Sequence, residues 1–325
     1  MGRYILRRLI GAIPLLLLVS MTVFGLLKAA PGGPTGAYMY RAAGLDPQAI
    51  YAMEERLGLH DPLYLQYWKW LSRVLQGDLG QSSKTKQPVT TEIWSVLPNT
   101  LVLMTTAWLV TLLIAIPVGI YSAVRQYSWF DHLVTGLTFV GQSVPIYWLG
   151  LILILIFYLT LENPWTGEPL LPAGGVKTLG ADFSLWDRIR HLILPVTMLS
   201  ASWIAWYSRF LRASMLEVIH QDYVRTARAK GLRERVVVLR HAFRNAAIPL
   251  ITLMALDLPY LFSGAVFTEV IFSWPGMGRL FYDAAELRDY GVLMAVIMIT
   301  STLIVLSNLL ADVMYALLDP RIRYS

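Results

Sequence analysis

Long runs of apolar residues recur six times along the chain and alternate with more polar segments. A helix needs about 20 predominantly apolar residues to cross the hydrocarbon core of a bilayer. The six runs lie near residues 9–29, 97–122, 133–160, 191–212, 246–268 and 291–317. This pattern predicts an all-α membrane protein with six transmembrane helices.

The composition supports this interpretation. Of the 325 residues, 56% are hydrophobic and 15% are charged, and the mean hydropathy is +0.54, whereas soluble domains carry about 25% charged residues. The first run, from Leu9 to Leu27, holds 19 residues without a charge. The apolar core of a signal peptide is about 7–15 residues, so we expect a retained helix.

The basic residues favour an orientation with both termini in the cytoplasm. In this orientation 15 Lys and Arg lie in inner segments and 12 in outer ones. Half of those 12 lie in the loop 31–96, which also holds six acids and is too long to count fully under the positive-inside rule. We therefore divide the chain into the N-terminus with the first helix (1–30), an extracytoplasmic helical region (31–96) and a core with five helices (97–325).

The loop between the first two transmembrane helices is itself predicted to be helical. Asp-Pro pairs at 46–47 and 61–62 begin two amphipathic segments, which end at Gly58 and Gly77. The second segment has an apolar stripe formed by Tyr64, Tyr67, Trp68, Leu71 and Leu75. Such helices lie in the membrane interface or form a docking surface for an external partner, and the sequence leaves both interpretations open.

The last outer loop contains the sequence FSWPGMGRLF. Trp274, Pro275 and Gly276 form a turn signal within it. One interpretation is an aromatic anchor at the membrane boundary. The other assigns these residues, together with Tyr64 and Trp68, to an outer gate or a docking surface.

Several kinds of chemistry are excluded by the motifs that the chain lacks. None of the six lysines follows a glycine, which excludes a phosphate-binding Gly-Lys-Ser/Thr loop. There is no His-Glu-x-x-His zinc motif and no Gly-x-Ser-x-Gly nucleophile motif. The absence of cysteine excludes disulfides and thiolate ligands. We expect no catalytic residue, no metal site, no cofactor bound by this chain and no nucleic-acid partner.

A short basic helix is predicted just before the fifth apolar run. Asp222 is a suitable N-cap, and Gly231 is expected to end the helix in the left-handed conformation. The eight residues between them give about two turns, or 12 Å. Arg225, Arg228 and Lys230 would keep this helix in the cytoplasm, while Ala227 would let another backbone come close.

At this point the residues resemble a known family. The segment DYVRTARAKGL followed by HAFRNAAIPLI resembles the cytoplasmic loop of the permease subunits of dipeptide/oligopeptide-type ABC importers. Ala227 and Gly231 match the general Glu-Ala-Ala signature of that loop. The segments LGLHDPLYLQYWKWLSRVLQGDLGQS, FSWPGMGRL and DVMYALLDPRIRY are similar to other landmarks of the family. The resemblance covers nearly the whole chain.

The resemblance implies a type I ABC importer permease fold in the inner membrane of a prokaryote. The implied partners are a second homologous permease, two ABC ATPase subunits that carry ATP and magnesium, and an extracytoplasmic solute-binding protein. The implied substrate is a peptide, glutathione, a nickel chelate or an oligosaccharide. The short helix near 222–232 would be the coupling helix that contacts the ATPase, through Asp222, Tyr223, Arg225, Thr226, Ala227, Arg228 and Gly231.

Asp257 is the most unusual residue within the apolar runs. An ionised carboxylate at this depth costs roughly 3 kcal/mol or more and usually faces an aqueous cavity or a partner charge. Asp257 therefore lines a translocation pathway or, equally, is a protonated acid hydrogen-bonded inside the bundle. Other readings of the whole chain are an ion-gradient transporter, which would need more such residues, and a membrane scaffold.

Overall fold

The protein is described by a computed structural model that covers residues 2–30, 51, 55, 58, 60–182 and 184–318. These residues form helices and connecting turns without an extended strand, which confirms the all-α fold. The long helices are α1 (Gly2–Ala29), α3 (Val89–Val124), α4 (Trp129–Ser143), α6 (Leu185–Ile219), α9 (Phe243–Asp257) and α13 (Tyr290–Leu318).

Shorter helices connect the long ones. They are α2 (Leu63–Leu75), α5 (Ile146–Ile154, continued by a π-helical turn Leu155–Thr160), α7 (Asp222–Ala229), α8 (Glu234–Val236, continued by a π-helical turn Val237–Ala242), α10 (Tyr260–Ser263), α11 (Val266–Ile271) and α12 (Met277–Glu286). The predicted helix over Asp46–Gly58 lies almost entirely outside the described residues.

Four segments of the described chain are long and apolar enough to cross a membrane. They are Leu6–Ala29, Val89–Val124, Glu234–Phe262 and Tyr290–Asp312, and they match the first, second, fifth and sixth predicted spans. The fourth predicted span lies within α6, which is long enough to cross but less apolar. Its more polar composition fits its place in the bundle, because α6 packs against α3, α4, α5 and α9 and so exposes less surface to lipid.

The third predicted span is not one continuous helix, and in this respect the prediction was wrong. Helices α4 and α5 meet at an angle of 99°. Val144 is extended, with φ −76° and ψ 125°, because a residue that precedes proline avoids the helical region. Pro145 follows it and has no N–H to donate. The pair is therefore bent too sharply to be one straight span.

The fifth predicted span, 246–268, is also interrupted. Gly264 has φ +76°, a conformation that favours glycine, and it separates α10 from α11. The continuous helical segment therefore ends before Val266. The interruption places α11 and α12 against each other.

Helix α2 packs on the second half of α1. The Tyr67 hydroxyl is 2.7 Å from the Ser20 hydroxyl, and the Tyr67 ring meets Phe24 edge to face with centroids 5.5 Å apart. Lys28 donates to Gln66. These contacts fix α2 against the first transmembrane helix.

An ion pair with a buried carboxylate joins α4 to the C-terminal part of α6, which leads into α7. Arg212 donates from Nε and Nη2 to the two carboxylate oxygens of Asp131, at 2.6 and 2.7 Å. Asp131 also accepts from the Ser122 hydroxyl and from the backbone N–H of Tyr127, at 2.9 Å for the latter. Removal of Arg212 would leave the buried Asp131 carboxylate without its charged partner, which costs up to about 3–5 kcal/mol.

Candidate functional site

The short basic helix forms where the sequence predicts it, with a shift of one residue. Helix α7 spans Asp222–Ala229. The predicted N-cap is wrong: Gln221 holds the N-cap position in an extended conformation, and Asp222 is the first helical residue. An acid in the first turn still interacts favourably with the helix dipole. The eight-residue length agrees with the prediction.

Gly231 ends this helix as expected. Its φ is +72°, and its N–H donates to the Arg228 carbonyl at 2.9 Å. A Cβ added at Gly231 would meet no atom within 4 Å. The requirement for glycine is therefore conformational and does not come from crowding.

One face of α7 is seated on the transmembrane bundle. Val224 is fully buried and Ala227 is 5% exposed, and both belong to a core cluster with Ile219, Val237 and Val238. Ala227 thus packs against its own chain, and it is not on the face that is free to meet another protein. Its small size allows α7 to approach the π-helical turn.

Polar contacts tie α7 to the elements that follow it. Arg228 donates from Nη2 to Glu234 Oε1 at 2.8 Å and from Nε to both carboxylate oxygens at 3.2 Å. These hydrogen bonds raise the pKa of Arg228, so the guanidinium stays charged. Asn245 Nδ2 donates to the Tyr223 hydroxyl at 3.0 Å. Helix α7 is therefore attached to both α8 and α9.

The opposite face of α7 is open and charged. The Asp222 side chain is 99% exposed and that of Arg225 is 75% exposed, with 3.7 Å between Arg225 Nη1 and Asp222 Oδ1. Thr226 is also exposed, and its hydroxyl donates to the Asp222 carbonyl at 2.9 Å. A pair as exposed as Asp222–Arg225 contributes little to stability. This face is available to a partner protein.

The FSWPGMG segment forms a second structured region, at the end of the bundle opposite α7. Its centre is Glu269, which is fully buried. The carboxylate accepts from the Thr100 hydroxyl at 3.0 Å and from the Arg279 N–H at 2.9 Å. The Thr100 hydroxyl oxygen in turn accepts from the Met277 N–H at 2.7 Å. We call Glu269, Thr100 and these backbone groups the outer node.

The predicted turn wraps around this node, and Trp274 is fully buried. The interfacial-anchor interpretation of the turn is therefore wrong. Trp274 Nε1 donates to the Asn99 carbonyl at 3.0 Å, and Asn99 Nδ2 donates to the Pro275 carbonyl at 2.9 Å. A Cβ at Gly276 would lie 2.5 Å from Glu269 Oε2 and Thr100 Oγ1. The turn thus fixes the start of α3 to the segment before α12.

Sequence reasoning missed Asn99, Thr100 and Glu269 as members of this region. A signal was present, since a helix that begins just after a Trp-Pro-Gly turn leaves the N–H groups of its first turn unpaired, and a nearby carboxylate can accept them. Nothing local to Thr100 indicated that it would lie beside residues so distant in sequence.

The aromatic residues of α2 divide between two faces. Tyr64 is 75% and Trp68 is 63% exposed, whereas Tyr67 and Trp70 pack toward Phe24. The predicted stripe therefore includes one inward residue, Tyr67. Tyr64 and Trp68 lie on the outward face and are not brought close to Trp274 by any contact in the described structure.

Asp257 lies half-buried at the end of α9 and is hydrogen-bonded to Tyr207 of α6. This contact provides the hydrogen-bond partner that one of the two interpretations of Asp257 requires. The remaining exposure of the residue leaves the other interpretation open.

Comparisons with known proteins identify the family. Residues 115–324 match the family described as binding-protein-dependent transport system inner membrane component, and residues 1–104 match the N-terminal region of such membrane components. The chain belongs to this family. The helical bundle, α7 and the outer node are therefore parts of the inner membrane component of a binding-protein-dependent transport system.

Curated relatives of this membrane component cover its full length. It is 44% identical to the oligopeptide transport system permease protein AppB of Bacillus subtilis, over 100% of both chains. It is 39% identical to the dipeptide transport system permease protein DppB of Alkalihalophilus pseudofirmus, over 99% of both chains. It is 40% identical to the glutathione transport system permease protein GsiC of Salmonella paratyphi A, over 100% of both chains.

Proposed function

We propose that this permease forms, with a second homologous permease, the translocation pathway of an ATP-driven importer for peptides or a related solute such as glutathione or a nickel chelate. A binding protein delivers the solute from outside, and two separate ATPase subunits carry ATP and magnesium. Both termini lie in the cytoplasm. The names of the full-length relatives support the substrate class.

The observation that carries the proposal is the two-sided character of α7. Its inner face is fixed to the bundle by Val224 and Ala227, and its outer face exposes Asp222, Arg225 and Thr226. A loop that served only to place positive charge on the cytoplasmic side would not need a face packed against the bundle. We call α7 the joint: a partner protein can displace its exposed face, and its buried face passes that displacement to the bundle.

The contacts of α7 define which helices would move with it. It follows α6 after a two-residue turn, and it is tied to α8 by Arg228–Glu234 and to α9 by Tyr223–Asn245. A displacement of α7 by closing ATPase subunits would move the ends of α6 and α9 together. Two helices that shift as a unit against α3 and α13 would switch access between the two sides of the membrane.

Substitutions at Gly231 test this proposal. Valine is strongly disfavoured at positive φ, whereas asparagine adopts the left-handed conformation, and a Cβ added at this position meets no atom within 4 Å. In vesicles with the complete transporter, we expect Gly231→Val to abolish ATP-driven peptide uptake while membrane insertion remains normal. The Gly231→Asn variant serves as the matched control and should retain most uptake.

Binding-protein-stimulated ATP hydrolysis should be measured in parallel. Hydrolysis that continues in Gly231→Val without uptake would locate the defect at the joint. Normal uptake by Gly231→Val would contradict the assignment of α7 as the coupling helix.

A further inference from the structure

An apolar groove runs along the same end of the bundle, beside the joint. Its volume is about 960 Å³. The last turns of α3 form one wall, and α8 with its π-helical turn forms the other. Its apolar lining includes Ile116, Ile120, Val124, Val238, Leu239 and Phe243.

The mouth of the groove is basic. Arg125 is the C-cap of α3, and Arg235 lies at the beginning of the apolar segment Glu234–Phe262. Both therefore mark the boundary at which such a segment meets the polar region. Both are exposed, and within the described residues neither makes an ion pair with an acid. Glu234 also lines the groove, but its charge is balanced by Arg228.

This combination fits one kind of occupant. We propose that the groove binds an anionic phospholipid, with an acyl chain along its apolar walls and the phosphate between Arg125 and Arg235. Basic pockets between transmembrane helices on the cytoplasmic side are suited to anionic headgroups. A free phosphate would make no use of the apolar walls, and water would leave them unfavourably hydrated.

The site also touches the joint. Val238 lines the groove and belongs to the cluster on which Val224 and Ala227 of α7 are packed. An acyl chain against Val238 would therefore contact the cluster on which α7 packs and stabilise the position of α7. The lipid would act as a structural component of the coupling region.

A photocrosslinking experiment tests the proposal on the complete transporter in nanodiscs. The probes are phosphatidylglycerol and phosphatidylcholine that carry the same diazirine-labelled acyl chain, and mass spectrometry locates the labelled peptides. We expect phosphatidylglycerol to label the segments 116–130 and 234–243 more strongly than phosphatidylcholine does. A basic residue near an anionic surface contributes about fivefold in affinity, so Arg125→Gln with Arg235→Gln should lower the excess by about that factor or more.

The matched control removes two cations from the same part of the chain but outside the groove. Lys230 and Arg240 are exposed and do not line it, so Lys230→Gln with Arg240→Gln should leave the labelling unchanged. Equal labelling by both lipids would overturn the proposal, because it would indicate ordinary contact with the bilayer. Absence of labelling in the complete transporter would also overturn it and would indicate that a protein subunit covers the groove.

Discussion

At the scale of single residues, Asp257 is a half-buried acid at the end of α9. It shares a hydrogen bond with Tyr207, which is otherwise buried. A carboxylate held in this way is oriented by the tyrosine and keeps part of its surface free. We predict that its exposed part faces the translocation pathway and receives a cationic group of the solute.

Two neutral substitutions separate these roles. If Asp257 meets the ammonium group of a passing peptide, Asp257→Asn should reduce uptake of cationic peptides more than that of neutral ones. Tyr207→Phe removes the hydrogen bond but keeps the charge, so it should preserve the preference for cationic peptides. Uptake rates for a matched pair of cationic and neutral peptides provide the measurement. An equal reduction for both peptides in Asp257→Asn would assign the residue a structural role only.

Gly276 illustrates a different kind of constraint, because here the neighbouring atoms exclude a side chain. The Gly276→Ala substitution would force Cβ against the carboxylate of Glu269 and the hydroxyl of Thr100. Overpacking of this kind typically costs about 1–3 kcal/mol, so we expect a lower midpoint of thermal unfolding in detergent. Gly25→Ala is the control, because a Cβ at Gly25 meets nothing within 4 Å and alanine favours the helix. An equal midpoint for both variants would argue against a tightly packed node.

At the scale of elements, helix α2 has two aromatic faces with separate tasks. Trp70 packs with Tyr67 and Phe24 on the face toward α1, and Trp68 points outward. The outward face remains a candidate for docking the binding protein, for contact with the membrane interface, or for both. We propose docking, because exposed tryptophan and tyrosine residues are typical of binding surfaces.

The two tryptophans of α2 allow a direct comparison. Trp68→Ala should weaken the binding of the solute-loaded binding protein, by about tenfold for a residue at the centre of an interface, without changing the thermal stability of the transporter. Trp70→Ala should lower that stability because it leaves a cavity between α1 and α2. The affinity of the binding protein for the transporter in nanodiscs, measured beside its melting curve, distinguishes the two. Unchanged affinity in Trp68→Ala would leave the membrane interface as the role of this face.

The elements also show which features the sequence could predict. Helix α7 was predictable to within one residue because Gly231 and the basic residues before it are local signals. The break between α4 and α5 was missed because the apolar pattern continues through it, although Pro145 was a local sign. The seat of Ala227 and the outer node depend on contacts between segments far apart in the chain. The spacing of apolar residues along the chain gives no information about such contacts.

At the scale of the whole molecule, the natural absence of cysteine makes the topology accessible to labelling. We expect Trp165→Cys, in the loop that precedes α6, to react with a membrane-impermeant maleimide in intact cells, because Trp165 is 90% exposed and is predicted to be outside. Gln126→Cys, at an exposed position beyond the C-terminal end of α3, should react only after the membrane is permeabilised. The reverse pattern would invert the proposed orientation and assign α7 to the wrong compartment for contact with an ATPase.

The outer node has a consequence for how the protein is made. Thr100 is synthesised 169 positions before its partner Glu269, and the N–H of Arg279 emerges later still. A ribosome adds about 5–20 residues per second, so the start of α3 waits on the order of ten seconds before its carboxylate partner exists. Until then the Thr100 hydroxyl must hydrogen-bond to water or to a temporary acceptor. A chain truncated between Glu269 and Met277 would lack the Arg279 N–H that donates to Glu269 and the Met277 N–H that donates to Thr100, so the node can form only after the first turn of α12 has been synthesised.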